Sequence, residues 1–409
     1  MVQKAHPKAA YKTFDEAVAV ARELAPRLRE RVPQAEELRR LPDENVADLL
    51  DSGLVHLETP RMFGGPELNL DALLEVTGAL AEGCSSTGWV YALWGAHIWL
   101  IGQYPEHIQE MVFDGSNSLV SSVVNVEGTP VAVDGGYRFT GRGFFSSGVD
   151  HCNWMTADLN LKPDEFPGDT RWFLMPRADI EIVDDWYAVG LKGTGSKTVV
   201  FNDVFIPDER VISFRELSEG KGFGAALHNS TLYRASFDFT FSVCLGGPVV
   251  GMARSLLNGY TGRMRERLAS GNPRQVGGQQ AGFTRLAQAS AQIEAARALL
   301  LSTARQFCTI PASEASPLDR AQCRRDTAFA AQLCREAANK VFEASGASNI
   351  FESRDIQRLW RDSNVAAAHA SLGWDSAAHM YSRVALGLPA FDVPGEQAPP
   401  QGKITTEGV

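Results

Sequence analysis

The chain has 409 residues, 44% of them hydrophobic and 22% charged, which suits a soluble globular protein with room for more than one subdomain. A formal net charge of -10 sets nucleic acid aside as the main partner, because phosphate binding needs a basic surface. The six cysteines (Cys84, Cys152, Cys244, Cys308, Cys323 and Cys334) form no CxxC pair and no cluster with histidine at ligand spacing, so no metal is expected. They read as reduced thiols of a cytoplasmic protein. Met1 to Tyr11 lacks the apolar stretch of a signal peptide, and the apolar window Trp89 to Ile101 is too short for a bilayer, so no membrane partner is expected.

The order along the chain is helix, strand, helix. Ala17, Val18, Ala21, Leu24 and Leu28 recur at helical spacing from Phe14 onward. A short amphipathic helix is expected from Glu44 to Leu50, ending near Gly53. Asp71 is the expected N-cap of a helix carrying Leu73, Leu74, Val76 and Leu80, and another helix carries Trp89 to Leu100. From Ser118 to Pro207 the pattern becomes that of an antiparallel β domain. Asp134, Gly135 and Gly136 sit between alternating stretches and signal a hairpin. Strands continue at Trp172 to Met175, Ile180 to Val183 and Thr198 to Ile206. Helices return with Phe283 to Phe307, then with a helix opening at Ser316-Pro317 and stopping at Gly346, and then from Asp355 to Leu372. A tail rich in Pro and Gly follows Pro389. The expected units are an N-terminal helical domain (1–117), a central antiparallel β domain (118–218) and a C-terminal four-helix bundle (219–409), an α+β fold.

Several segments carry polar side chains worth weighing. The stretch 190–198, GLKGTGSKT, looks like a phosphate loop, but Gly195 is followed by Ser196 rather than lysine and the chain runs on into a strand. The stretch 146–151, SSGVDH, offers hydroxyls beside a turn. On pattern alone it is as much a capped polar turn as a site, and no GxSxG elbow supports a hydrolase. His97 lies in an apolar helical stretch, where a histidine is more often a satisfied core residue. His369 has small neighbours, which suit either a ligand or close helix packing.

Taken together these segments resemble the acyl-CoA dehydrogenase fold. Asp134-Gly135-Gly136-Tyr137 with Gly141 is similar to its central hairpin, 190–207 (GLKGTGSKTVVFNDVFIP) to the stretch closing its β domain, and 358–362 (RLWRD) to the entry of its last active-site helix. The resemblance covers nearly the whole chain. About eight residues after Asp362, however, stands His369 and no glutamate, and the runs SSGVDH and 84–89 (CSSTGW) resemble the two-component flavin-dependent monooxygenases. In SSGVDH and RLWRD the likeness is to the secosteroid, phenol and indole hydroxylase branch.

That resemblance implies an oxygenase component that takes reduced flavin, FADH2 ahead of FMNH2, from a separate NAD(P)H:flavin reductase. Reaction with O2 gives a C4a-hydroperoxide that hydroxylates an aromatic small molecule of the phenol or indole type. It implies Ser146 facing flavin N5, with Ser147 beside it, and Ser121 and Ser122 lining the isoalloxazine. Arg263 is implied at the flavin phosphate across a subunit boundary of a homotetramer, with backbone from Gly346 to Asn349, Ser348 included, near the adenine-side pyrophosphate. It implies His369 as the acceptor of the substrate proton and His97 as a second active-site histidine. Trp89, Trp94, Phe144, Phe145 and Trp374 are the expected apolar lining. Oxygenation at N or S of another substrate, or acyl-CoA dehydrogenation with Asp375 as base, are the alternatives.

Overall fold

In the computed structural model, which describes residues 11–115, 118–165, 168–270 and 280–391, local capping sets the first helix. α1 (Phe14–Glu30) starts at Thr13, whose hydroxyl accepts from the Glu16 amide while the Glu16 carboxylate accepts from the Lys12 and Thr13 amides. Its buried face is Ala17, Val18, Ala21, Leu24 and Leu28, as the spacing requires. α2 (Val32–Leu38) and α3 (Asp43–Asp51) follow, then α4 (Leu70–Gly83). The N-cap of α4 is Asn69 rather than Asp71. Asp71 sits in the first turn, where its charge suits the helix dipole and pairs with Arg305. α5 (Ser85–Ile101) is buried on nearly every face, which makes it the central helix, and α6 (Glu106–Val112) follows it.

The strands are β1 (Val120–Val123), β2 (Asn125–Glu127), β3 (Val131–Val133), β4 (Gly136–Ser146), β5 (Trp154–Asn160), β6 (Thr170–Pro176), β7 (Ile180–Val183), β8 (Lys197–Pro207) and β9 (Val211–Ser213). The hairpin β3–β4 turns at Asp134-Gly135, with Gly135 at φ 75. Two sheets form, in the orders β1-β5-β6-β9 and β2-β4-β8-β7. The pairing is antiparallel with one exception: β1 and β5 run parallel, because the chain visits the second sheet between them. Alternation sends Val123, Met155, Ala157 and Phe173 into the core between the sheets. Val120, Trp172, Leu174 and Ile212 face the other way and join the core of the helices. The first sheet therefore has helices on its outer face, and residues on β1 choose between two environments.

Short helices α7 (Phe214–Ser218), α8 (Phe223–His228), α9 (Thr231–Arg234) and α10 (Phe237–Val243) lead into α11 (Gly246–Ala269). α12 (Gln280–Phe307), α13 (Pro317–Ser345), α14 (Asp355–Ala367) and α15 (Trp374–Ala385) complete the chain, and α11 through α14 pack against one another as the bundle. α13 opens with a capping box between Ser316 and Asp319, with Pro317 at its first position. α14 ends at Ala367, five residues short of the expected Leu372. The chain becomes extended at His369 (φ -62, ψ 139), whose side chain caps a short 3-10 turn, Ala370–Leu372. The stretch Phe237–Ala269 is long and apolar enough to cross a membrane by length and composition, but 72% of its apolar window is buried in the protein, as in a core helix. The expected tail lies, beyond residue 391, outside the described residues.

Candidate active site

β1 brings the first residues together by its alternation. Ser121 points into the core between the sheets, and its hydroxyl donates to the Ser147 carbonyl at 2.8 Å. With that proton used, Ser121 Oγ accepts from Ser146 Oγ at 2.9 Å. Ser146 also lies 3.9 Å from Met155 Sδ and is 0% exposed, so its hydroxyl is enclosed in the β core. Ser147 differs: it retains 6% exposure and its Oγ lies 2.7 Å from Ser196 Oγ. Ser122 is half-buried and, one residue along from Ser121, faces the helices with Val120. Phe145, just before the two serines Ser146 and Ser147, has a positive φ of 65, and its ring is 64% exposed and meets Trp186 edge-on.

α5 lies across the same sheet. His97, 2% exposed, is held by Nδ1 at 2.8 Å from the carbonyl of Val120, the neighbour of Ser121. A carbonyl only accepts, so Nδ1 carries the proton and Nε2 is left as an acceptor. Burial, partly opposed by that bond, lowers the His97 pKa to about 4 and keeps the ring neutral. His369 has the opposite polarity. Its Nδ1 accepts from the Ser371 amide at 3.2 Å, so the neutral ring carries its proton on Nε2. Burial and then the nearby Arg324 lower its pKa to about 4. Its ring meets Trp89 edge-on at 5.6 Å, two turns before His97 on α5, about 12 Å along the helix axis. Trp94, 2% exposed, has an indole N–H with no partner among the described residues. It packs on Gly148, where a Cβ would lie 2.9 Å from Trp94 Nε1 and 2.5 Å from Val90 Cγ1.

The remaining residues of SSGVDH pin the β turn to its surroundings. Asp150 pairs with the buried Lys197 at 2.8 Å, and His151 Nε2 meets the Leu41 carbonyl at 2.9 Å. The loop 190–198 is a hydroxyl-bearing wall: Thr194 Oγ1 and Ser196 Oγ are 2.7 Å apart, and the Gly148 amide donates to the Thr194 carbonyl. Asp362 of the RLWRD run accepts from the Leu191 amide at 2.7 Å, and Arg358 lies 3.5 Å from its other oxygen. Thr194 and Ser196 were legible as part of a failed phosphate loop and of the stretch resembling the close of the β domain, not as site residues, although their hydroxyls in a glycine-rich stretch were a usable signal.

Three expected flavin contacts are not brought to this cluster within the chain. Arg263 lies far along α11, one turn before Arg267, which reaches the Ser345 carbonyl at 3.4 Å, next to Gly346. Gly346 and Ser348 are exposed, with nothing within 4 Å of a Cβ placed on Gly346. The three thus share one end of the bundle. A surface cleft lined by Asn160, Phe214, Arg215, Asp238 and Arg320 holds none of the expected site residues.

The residues fit a flavin ring edged with N–H and C=O groups: a hydroxyl at Ser147 set beside Ser196, an unpartnered indole N–H on Trp94, and the aromatic ring of Trp89. A helical unit, two β sheets and a helical bundle arranged this way are an acyl-CoA dehydrogenase-type fold, and residues 243–374 match the family model described as acyl-CoA dehydrogenase, C-terminal domain. The flavin-dependent monooxygenase oxygenase subunit HsaA of Mycobacterium tuberculosis is 33% identical over 377 residues, 90% of this chain and 95% of that protein. An FADH(2)-dependent resorcinol hydroxylase, oxygenase component, of a Rhizobium species is 32% identical, over 87% of this chain and 90% of its own length. The crystal structure of 3-HSA hydroxylase from Rhodococcus sp. RHA1 superposes with a TM-score of 0.87 at 31% identity, covering 94% of this chain and 98% of that one. The chain belongs to the family of flavin-dependent monooxygenase oxygenase components.

Proposed function

We propose that this oxygenase takes reduced flavin from a separate reductase and hydroxylates an aromatic small molecule of the phenol or indole type. The observation that carries the reading is the pair of neutral histidines of opposite polarity, His97 with a bare Nε2 and His369 with a protonated one. When bound, reduced flavin supplies the activation of O2 for transfer of one oxygen atom to an electron-rich ring. The protein's part is to orient and to move protons. His97 Nε2 accepts the hydrogen bond of a substrate O–H or N–H and raises electron density on the ring. His369 Nε2–H donates to an oxygen on the other side, so the acceptor role expected for His369 passes to His97. Ser147, whose hydroxyl lies against Ser196 rather than among Ser121 and Met155, replaces the enclosed Ser146 as the group facing flavin N5. Trp89 and Trp94 help exclude water.

The finer points belong to the same proposal. FADH2 is favoured over FMNH2 by the FADH(2)-dependent relative. A homotetramer is supported by the placement of Arg263, Gly346 and Ser348 away from the serine cluster and by Ile350 and Phe351 beside them, 63% and 62% exposed. Cytoplasmic location is supported by six buried cysteines, all unpaired. Division into 1–117, 118–218 and 219–409 is supported by the strands, which lie between Val120 and Ser213. Dehydrogenation is disfavoured because Asp375, its one nearby candidate base, is exposed in the first turn of α15.

The test is rapid mixing of the protein and anaerobically reduced FAD with 18O2, followed by a substrate screen. An absorbing species that persists before oxidised flavin appears, and one 18O atom in a hydroxylated ring, are expected. Immediate flavin oxidation with no labelled product from any phenol or indole would remove the reading.

A further inference from the structure

Thr194, Ser196 and Ser147 form a row of hydroxyls whose direction is fixed from one end. Thr194 Oγ1 lies 2.8 Å from the Leu191 carbonyl, which only accepts, so Thr194 donates to it. That uses its one proton. Ser196, 2.7 Å away, must therefore donate to Thr194, and Ser147, 2.7 Å from Ser196, must donate to Ser196. The reverse direction would leave the Thr194 and Leu191 oxygens 2.8 Å apart with no hydrogen between them. Burial at 1% for Thr194 and 6% for Ser196 keeps water from reorienting the row. The end group is itself held. Leu191 sits at φ 52, its amide is bonded to Asp362, and its carbonyl also accepts from the Thr194 amide and the Trp186 indole.

Ser147 therefore has no proton left to offer outward, only lone pairs. We infer that Thr194 and Ser196 are positioning residues that make Ser147 a hydrogen-bond acceptor toward the flavin, and so make the site select reduced over oxidised flavin. Reduced flavin carries a hydrogen on N5, which Ser147 accepts. Oxidised flavin presents a lone pair there, which Ser147 meets with another. This rests on the flavin reading above and on Ser147 facing N5. It gives the failed phosphate loop a function: its hydroxyls report the redox state of the ring. It also gives the oxygenase a reason to take up the reductase's product and to release the flavin once oxidised.

The test is affinity rather than turnover. Dissociation constants for oxidised FAD and, anaerobically, for dithionite-reduced FAD are measured by equilibrium ultrafiltration on the full chain. In Thr194→Val the row loses its fixed end, Ser196 is free to turn, and Ser147 gains the freedom to donate. The ratio of oxidised to reduced constants is expected to fall about tenfold, mainly through tighter oxidised FAD, the worth of one hydrogen bond gained. Ser196→Ala frees the Ser147 proton directly and is expected to do the same, which keeps the test decisive if the valine variant folds poorly. Thr194→Ser keeps the row and the wild-type ratio. A wild-type ratio in both Thr194→Val and Ser196→Ala, or equal weakening of both flavin forms, would overturn the inference and leave the oxygenase reading intact. Failure of the wild-type chain to bind reduced flavin at all would instead overturn the reading on which it rests.

Discussion

Glu58 is enclosed at 1% exposure, and neither carboxylate oxygen has a hydrogen-bond partner among the described residues. Nearby tyrosines spend their hydroxyls on carbonyls: Tyr91 on Leu54, Tyr233 on Glu58 itself, Tyr11 on Gly53. Burial raises the Glu58 pKa from 4.5 to about 8, so the folded protein holds it protonated. The unfolded chain ionises first, hence the stabilising effect of the proton is whole below pH 4.5 and is lost as pH rises through 8. At about 1.4 kcal/mol per unit, the loss is roughly 3 kcal/mol at pH 7 and approaches about 5 kcal/mol above pH 8. A Cβ on Gly95 of α5 would lie 2.9 Å from Glu58 Oε2, so ionisation acts against the helix that carries Trp94 and His97. Glu58→Gln keeps the shape without the titration. Guanidinium unfolding of both proteins is to be followed from pH 5 to 9. The expected result is near-equal stability at pH 5 and a widening advantage for the variant, several kcal/mol by pH 9. The difference between the two cancels the other titrating groups they share. Parallel profiles across that range would show that Glu58 is already ionised in the fold or has a partner that this reasoning lacks.

Replacing His97 with alanine should leave flavin binding near wild type while product formed per O2 falls about 100-fold, with hydrogen peroxide taking its place. Full coupling in that variant would return the acceptor role to His369. Because both histidines have folded pKa values lowered from 6.5 to about 4, their neutral forms persist well below pH 6.5. Single-turnover hydroxylation should therefore stay level down to about pH 5 and fall only as pH drops through 4, and an acid limb centred near 6.5 would contradict the burial argument. Gly148→Ala places a methyl against Val90 and Trp94 at φ 70, so thermal unfolding should show a loss of about 2 kcal/mol or more. Asp362→Ala removes the acceptor of the Leu191 amide and should cost about 1–3 kcal/mol by the same measurement, and an unchanged melting temperature would show that the loop is anchored elsewhere.

What the sequence determined by itself is what short-range rules govern. The apolar stripe from Ala17 to Leu28, the opening at Ser316-Pro317 and the turn at Asp134-Gly135 depend on residues within a few positions of one another, and each stands where the pattern puts it. Even at that range two signals competed. Asn69 takes the N-cap of α4 in place of the expected Asp71, and α14 stops at Ala367 rather than Leu372 because the chain turns extended at His369, which caps the next turn. The serines at 121, 122, 146 and 147 were visible as site candidates by resemblance, but their facing was not. Phe145, before Ser146 and Ser147, takes a positive φ of 65, at an irregularity in the β4–β8 pairing between Gly143 and Ser146, a backbone choice that residue type alone does not announce. Only the tertiary structure decided the rest. Ser147 meets Ser196 across 49 positions, His97 meets Val120 across 23, and Asp362 meets Leu191 across 171. Hydrogen-bond direction and histidine tautomer follow from which carbonyl or amide stands opposite, and a carboxyl such as Glu58 acquires its proton only from the enclosure that folding builds around it.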